Sequence, residues 1–572
     1  MKFISKMTPV AAALAIAFAA PVQAIDYEVW ASDQSNSVAG ASGIGKDGSF
    51  LQIFEGADVE KYAAGTGPAP SPIPCAGTVA PCDAHAVFPG TLIESDASGL
   101  TGETLATSNS AALGTAVGTG DDLSIGRLHG ALPDPQHKYV NVNLFSGGRG
   151  YVGIVTADTK EAVALWRVTR TNTGESLHMS FWSPDGTALY LANLHGRILE
   201  RIDMTRDENG NILTANFNQA ASMSVGASSI VRSARAYSGL NAAGNAMIST
   251  VSGAYDAEAT ALDTPNGKCR QNGCSSGAAN GSLGGRPGNV IVCPIVSSND
   301  KVYVTFGGGG LLVADGASTP MQIVGEYGNQ IFNGAGCGGV EAGGNVYLNA
   351  GASAAGGGAT QSVFSMYRVS TNFPDAGSFY PENFPRPRTI FKDVDNTSTG
   401  GATSGPASNA TGQLPGISTR RDAHGAVGTT SGHYVHNADR VRNNVVSFNV
   451  ATGESHTYSL AGTTACSDVA ADAVPLIHAD DVTPDLMDRS PNGDFLFFAA
   501  RGPVPHSVPH SAQGACPGVG VIKLSNGGKS GSLAAVVRTT NTIDDVGPSA
   551  SGGYAYTGVE RSDPHGVAVV IK

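Results

Sequence analysis

Seven residues able to bind a transition metal or to move a proton recur at one position of a repeated unit. Each unit is a short apolar strand, a tight turn and a second apolar strand. Counting back seven positions from the turn gives His178 from Asp185, Cys293 from Asp300 and Cys337 from Gly344. The same count gives His424 from Ser431, Asp485 from Asn492, His129 from Gln136 and, at the chain end, His565 from Lys572. Imidazole, thiolate and carboxylate are the ligands of zinc, copper and iron sites, and imidazole and carboxylate are also the usual proton carriers. Four of the 13 histidines of the chain fall in this column, a concentration that chance does not explain but shared repeat ancestry can. Two readings follow. Either His129, His178, His424, His565, Asp485, Cys293 and Cys337 supply a metal site, or the imidazoles are structural and cap the backbone of neighbouring repeats.

If metal is bound, imidazole-rich ligation points to a transition metal, copper ahead of zinc or iron, and to Asp485 as a further ligand or proton acceptor. Cys293 and Cys337 are either a disulfide, the simpler reading, or a pair of soft thiolate ligands facing the histidines. Three arginines accompany the column. Arg127, Arg421 and Arg561 precede His129, His424 and His565 by two, three and four residues. They either present guanidinium donors to a small anionic substrate or pair with Asp122, Asp422 and Asp563. Ligation requires neutral imidazoles, so binding should weaken below about pH 6.

Such a column has meaning only if the units are rotated copies about one axis. Asp563-Pro564-His565-Gly566-Val567-Ala568-Val569-Val570 lies two residues short of the chain end, and Tyr27-Glu28-Val29-Trp30-Ala31-Ser32-Asp33 lies near its start. Joined tail to head, these read like the internal stretch that begins at His424-Gly425-Ala426-Val427 and continues through His433 to Arg440. A repeat split across the termini predicts a closed ring in which the C-terminal strand completes the first unit, which is how a β-propeller removes its open edges. The remaining units begin at His129, His178, Cys293, Cys337 and Asp485. Ser183-Pro184-Asp185-Gly186 and Ser490-Pro491-Asn492-Gly493 supply the clearest turns. The expectation is an all-β, seven-bladed propeller over 25–572, with long Gly/Ala/Ser-rich insertions at 57–125, 225–288, 350–415 and 502–517. The second of these is long enough to hide an eighth blade.

Residues 1–24 have the form of a secretory signal: Lys2 and Lys6, an apolar core from Val10 to Ala20, and Val22-Gln23-Ala24 as a small-residue cleavage site. The core is too short for a permanent anchor, and no later segment reads as transmembrane. A periplasmic or secreted protein without membrane insertion is expected. A net charge of −13 repels nucleic acid and anionic lipid. Eight cysteines in an oxidising compartment make disulfides the default, with Cys75/Cys82, Cys269/Cys274 and Cys466/Cys516 as further pairs.

The units resemble the repeats of YVTN-type and lactonase-like propellers, which carry a Pro-His-Gly-type start, a Ser-Pro-Asp-Gly turn and a Tyr-Val-Ala-Asn-type second strand. Ile291-Val292-Cys293-Pro294-Ile295, Gly336-Cys337-Gly338-Gly339-Val340-Glu341 and Arg501-Gly502-Pro503-Val504-Pro505 look like an exported bacterial subgroup of that family. The resemblance implies the fold and leaves the activity open. In architecture, a multi-histidine channel mouth resembles the copper-binding propellers of nitrous oxide reductase and thiocyanate dehydrogenase.

Other signals are weaker. His506 and His510 lie in a Pro-rich stretch that reads as a surface loop. Asp207-Glu208-Asn209-Gly210-Asn211 lacks the full ligand series of a calcium loop and reads as a hairpin turn. Gly307–Gly310 lacks the Lys-Ser/Thr of a phosphate loop, and no Gly-x-Ser-x-Gly elbow is present. The leading expectation is a metal-dependent oxidoreductase acting on a small molecule, with Asp485 and the three arginines in catalytic roles. The alternatives are a non-catalytic propeller that binds a ligand or protein partner and, last, a lactonase-like hydrolase.

Overall fold

The computed structural model describes residues 25–34, 50–76, 80–88, 93–95, 127–146, 149–227, 229–238, 248–255, 290–307, 309–328, 331–332, 336–352, 362–375, 385–395, 421–440, 442–460, 482–502, 514–540 and 562–572. These form seven blades, each built on four antiparallel strands, so the architecture is the expected propeller.

Blade 1 is the split one. From the inside outward it runs Pro564–Ile571, Tyr27–Asp33, Phe50–Glu55 and Cys82–Asp83. The C-terminal strand pairs antiparallel with the N-terminal one, Val570 opposite Glu28 and Ala568 opposite Trp30. The strand that would otherwise leave an open edge is thus hydrogen-bonded within a sheet. The innermost strands of blades 2 to 7 are Arg127–Pro133, Leu177–Trp182, Ile291–Val296, Gly339–Ala342, Ala423–Gly428 and Pro484–Arg489.

The second strands are covered on both faces by neighbouring blades. Ala188–Asn193, Lys301–Phe306 and Phe495–Ala500 are buried at every residue. That explains why they read as continuous apolar runs rather than alternating ones. The core accordingly lies between blades. Trp166, Trp182, Leu189, Leu191 and Phe217 join blades 2 and 3, while Tyr347, Phe364, Val446 and Phe448 join blades 5 and 6.

Two expectations are corrected. Residues 57–125, expected as an insertion, include most of the helix Gly56–Ala63, whose Val59 is buried in the core between blades 1 and 7. The Gly-rich stretch 350–415 contains the two outer strands of blade 5, Ser362–Ser370 and Arg388–Asp395; their β-branched and aromatic runs outweigh the flanking glycines. Within 225–288, the described strands Ile230–Arg232, Arg235–Ser238 and Thr250–Ser252 start no eighth blade. The last two extend the outer edges of blades 2 and 3, and Ile230–Arg232 pairs with Arg170–Thr171. The segment 207–211 is a hairpin turn, as read, with Asp207 Oδ1 accepting from the amides of Asn209 and Asn211. The signal segment 1–24, Arg561, His506, His510, Cys269, Cys274 and Cys466 lie outside the described residues.

Candidate metal-binding and acid–base centre

A register shift marks the column. In six of the seven innermost strands the pairing with the second strand slips at the column residue: at His565, His129, His178, Cys293, His424 and Asp485. In blade 3, for example, His178 and Met179 together face the single residue Ala192. Such β-bulges bend the strand and re-aim a side chain. Cys337 sits two residues ahead of its strand, Gly339–Ala342.

The residue after the bulge explains why glycine follows so many column residues. A Cβ on Gly425 would collide with the carbonyl of Asp485, and one on Gly338 with the carbonyl of His424. Glycine lets adjacent innermost strands approach at the ring. Asparagines of the second strands hold the same region: Asn143 Nδ2 donates to the carbonyl of Gly130 at 3.2 Å and Asn437 Nδ2 to that of Gly425 at 2.8 Å.

The column residues gather as two linked clusters. In the first, one ligand atom each from His424, Asp485 and His565 lies within 4.8 Å of the others, and all three residues are buried. Asp485 Oδ1 meets His424 Nδ1 in a very short contact. Its Oδ2 accepts from Arg501 at 2.7 Å and Arg440 at 3.3 Å. Arg501 also grips Asp563 through two hydrogen bonds of 2.6 and 2.7 Å, and Arg440 reaches Asp422 at 3.0 Å. Burial opposes ionisation of Asp485, but His424, Arg440 and His565 together hold its carboxyl well below the usual range. Burial lowers both His424 and His565, against the raising effect of Asp485. Both are therefore neutral imidazoles near pH 7, the form that ligates metal or accepts a proton.

His565 Nδ1 lies 2.7 Å from the carbonyl of His129. A carbonyl can only accept, so Nδ1 carries the proton and Nε2 keeps its lone pair. The backbone-capping reading thus describes one nitrogen of this ring and leaves the other for chemistry. The His565 ring stacks on His129 with centroids 3.9 Å apart, which links the first cluster to the second. There, His129 Nε2 and His178 Nε2 lie 3.1 Å apart, and His178 Nδ1 faces the sulfurs of Cys293 and Cys337. Those cysteines form a disulfide with Cα atoms 5.3 Å apart, within the normal span. In this state they are not thiolate ligands, and the simpler of the two cysteine readings describes them. Cys75 and Cys82 also pair as expected, and Cys516 is disulfide-bonded.

The arginine expectation needs correction. Arg421 is buried against Asp439 at 3.0 Å and Asp393 at 3.4 Å, with its guanidinium over the ring of Phe364. It therefore serves the outer part of blades 5 and 6, and Asp422 and Asp563 pair with Arg440 and Arg501 instead. Arg127 lies on its innermost strand two residues before His129. The arginines that do reach the ring, Arg440 and Arg501, escaped the sequence reading. The available signal was positional: each immediately follows the second strand of its blade, Tyr434–Asp439 or Phe495–Ala500, beside the start of the innermost strand.

No protein-family model matches the chain, and neither does any curated protein. Among solved structures the chain is similar to the periplasmic gluconolactonase PpgL of Pseudomonas aeruginosa, at 11% identity and a TM-score of 0.40, covering 95% of this chain and 99% of that one. It is also similar to a protein from Lactobacillus plantarum, at 8% identity and a TM-score of 0.42, over 95% and 99% of the two chains. A third is the hydrazine synthase of Kuenenia stuttgartiensis, at 13% identity and a TM-score of 0.32, over 69% and 76%.

Proposed function

We propose that the propeller is an exported metal-binding protein, and that its ring of His129, His178, His424 and His565 holds one transition-metal ion, with copper ahead of zinc or iron. The carrying observation is the 3.1 Å separation of His129 Nε2 and His178 Nε2. Two imidazole nitrogens at about 2.05 Å from one ion stand about 2.9 Å apart at a right angle and about 3.3 Å apart at a tetrahedral angle. The observed spacing falls between these values. The remaining histidines stand beside this pair, His565 stacked on His129 with ring centroids 3.9 Å apart. His424 and His565 are neutral, and Asp485, whose Oδ2 is held by Arg501 and Arg440, places Oδ1 against His424 Nδ1, where it would orient that ring in the manner of a carboxylate behind a metal-ligating histidine. A copper ion there would supply one-electron chemistry, which makes oxidoreduction of a small molecule the reaction class this reading favours. Export is supported by the disulfides Cys75–Cys82 and Cys293–Cys337.

A direct imidazole–imidazole hydrogen bond would also stand near 3.1 Å, so the test is elemental. Protein isolated from its native compartment, or reconstituted with copper, zinc or iron, should carry about one ion per chain, and His129→Ala or His178→Ala should lower the affinity at least about tenfold. Metal content near zero after all three reconstitutions would sink the reading.

A second reading rests on the His424–Asp485 contact alone. A buried carboxylate that orients a neutral imidazole makes a general base, able to activate water toward an ester or lactone carbonyl. Lactone hydrolysis by metal-stripped protein, lost in His424→Ala, would favour this reading over the first.

A further inference from the structure

The ring of His178 aims its two nitrogens at different neighbours. Nε2 faces His129, while Nδ1 lies 3.8 Å from Cys293 Sγ and 3.7 Å from Cys337 Sγ. A disulfide sulfur has no proton to give and accepts only weakly, so hydrogen bonding is a poor account of an imidazole nitrogen set almost evenly between two of them. Metal geometry accounts for it better. A nitrogen about 2.05 Å and a sulfur about 2.3 Å from one tetrahedral ion stand about 3.6 Å apart. Both nitrogen–sulfur edges of a His-Cys-Cys face are therefore already in place, and only the sulfurs must separate. His178 is also the one column histidine that is not fully buried, which gives a cation and a reductant a way in.

We infer that the Cys293–Cys337 disulfide is a closed form of a second metal site, opened by reduction. In the open form Cys293 Sγ, Cys337 Sγ and His178 Nδ1 bind one thiophilic divalent cation, zinc being the natural occupant. The reductant is a dithiol. Two electrons and two protons pass from it to the pair, the Sγ–Sγ bond breaks to two thiols, and the dithiol closes to its own disulfide. Cation binding then releases the two thiol protons to solvent. Three protein ligands leave a fourth position for water. Because His178 Nε2 also faces His129, its imidazole joins this site to the histidine ring through the nitrogen that the sulfur site does not use. The inference stands on the sulfur side alone and holds whether or not the histidine ring is filled.

The test uses the full chain and Co²⁺ as the probe. Protein is reduced with a dithiol, freed of it without air, and titrated while thiolate-to-cobalt charge-transfer absorption and total cobalt are both read. Oxidised protein should show no charge-transfer band, whatever cobalt the histidines take up. Reduced protein should gain the band together with about one additional cobalt per chain, and the Cys293→Ser/Cys337→Ser variant, treated identically, should gain neither. An equal band in that variant would assign the signal to other cysteines and overturn the inference. Cys293→Ala frees Cys337 without any reductant and so covers the case in which reduction unfolds the ring. It should give a weaker band that His178→Ala removes in the same background, and a missing band there also overturns the site. Cobalt on oxidised protein reports only on the histidine ring, so the two readings fail separately.

Discussion

From His424 through Asp485 to His565 the inner ring is built on charge; from His178 to Cys293 and Cys337 it is built on sulfur. The positions are equivalent, and in five of these six residues the same bulge turns the side chain inward. What differs is how firmly each side is tied to the fold. Asp485 is fully buried among two guanidinium groups and two imidazoles, and those guanidinium groups are tied in turn to Asp422 and Asp563. His178 touches a neighbouring imidazole and a disulfide and keeps some solvent contact. The charged side is therefore expected to carry stability as well as any chemistry, whereas the sulfur side can be altered with the ring intact.

The largest effect should come from Asp485→Ala. Removing one partner of a buried ion network leaves the others uncompensated, at a cost of about 3–5 kcal/mol. Urea unfolding should show it as a lower midpoint. His178→Ala, on the other side, should shift that midpoint far less while weakening metal binding at least about tenfold. Equal losses of stability in the two variants would erase the contrast between the halves.

A histidine outside the ring sharpens the comparison. His436, on the second strand of blade 6, is buried between the Tyr458 hydroxyl and the Gly528 carbonyl. Burial lowers its pKa to about 4. The unfolded chain takes up this proton near pH 6.5 and the folded one does not until about pH 4. The stability His436 contributes is thus present above pH 6.5 and lost as pH falls toward 4, by about 3 kcal/mol in all. His436→Gln should flatten that part of the stability–pH curve without changing metal content.

Glu200 should act with the opposite sign. Burial raises its pKa to about 7 against hydrogen bonds from Thr169 and Asn193. The folded state holds this proton above pH 4.5, where the unfolded state has released it, so stability falls as pH rises from 4.5 to 7. Glu200→Gln should recover up to about 3 kcal/mol above that window, less whatever its hydrogen bonds lose. The smallest expected effect at the ring belongs to Arg421→Lys. It loosens contacts with Asp439 and Phe364, and metal affinity measured by titration should stay within about twofold of the parent, because Arg421 is committed to outer blade residues.

Much of the fold was legible because its signals are local. The Ser-Pro-Asp-Gly turn at 183–186 needs only neighbouring residues: Asp185 Oδ1 accepts from the Thr187 amide, and Gly186 adopts φ +71°. Counting from such turns found the column residues even though bulges interrupt the strands, since the same slip occurs in nearly every blade. The strands Ser362–Ser370 and Arg388–Asp395 were missed because glycine-rich sequence beside them outweighed their own short apolar pattern. Arg421 was drawn toward the site by its closeness in sequence to His424, yet its side chain lies over Phe364 in the adjacent blade.

By itself the amino-acid sequence determined that seven similar units close tail to head, and which residue types stand at the start of each innermost strand. Turn chemistry and strand pattern act over a few residues and need no distant partner. Only the tertiary structure decided that Arg440 and Arg501 share Asp485, that one nitrogen of His565 is spent on the His129 carbonyl, and that the two nitrogens of His178 face different chemistries. All but the Arg501 contact, which lies within blade 7, are contacts between blades, set by how sheets far apart in the chain pack around a common axis and by bulges that re-aim side chains there.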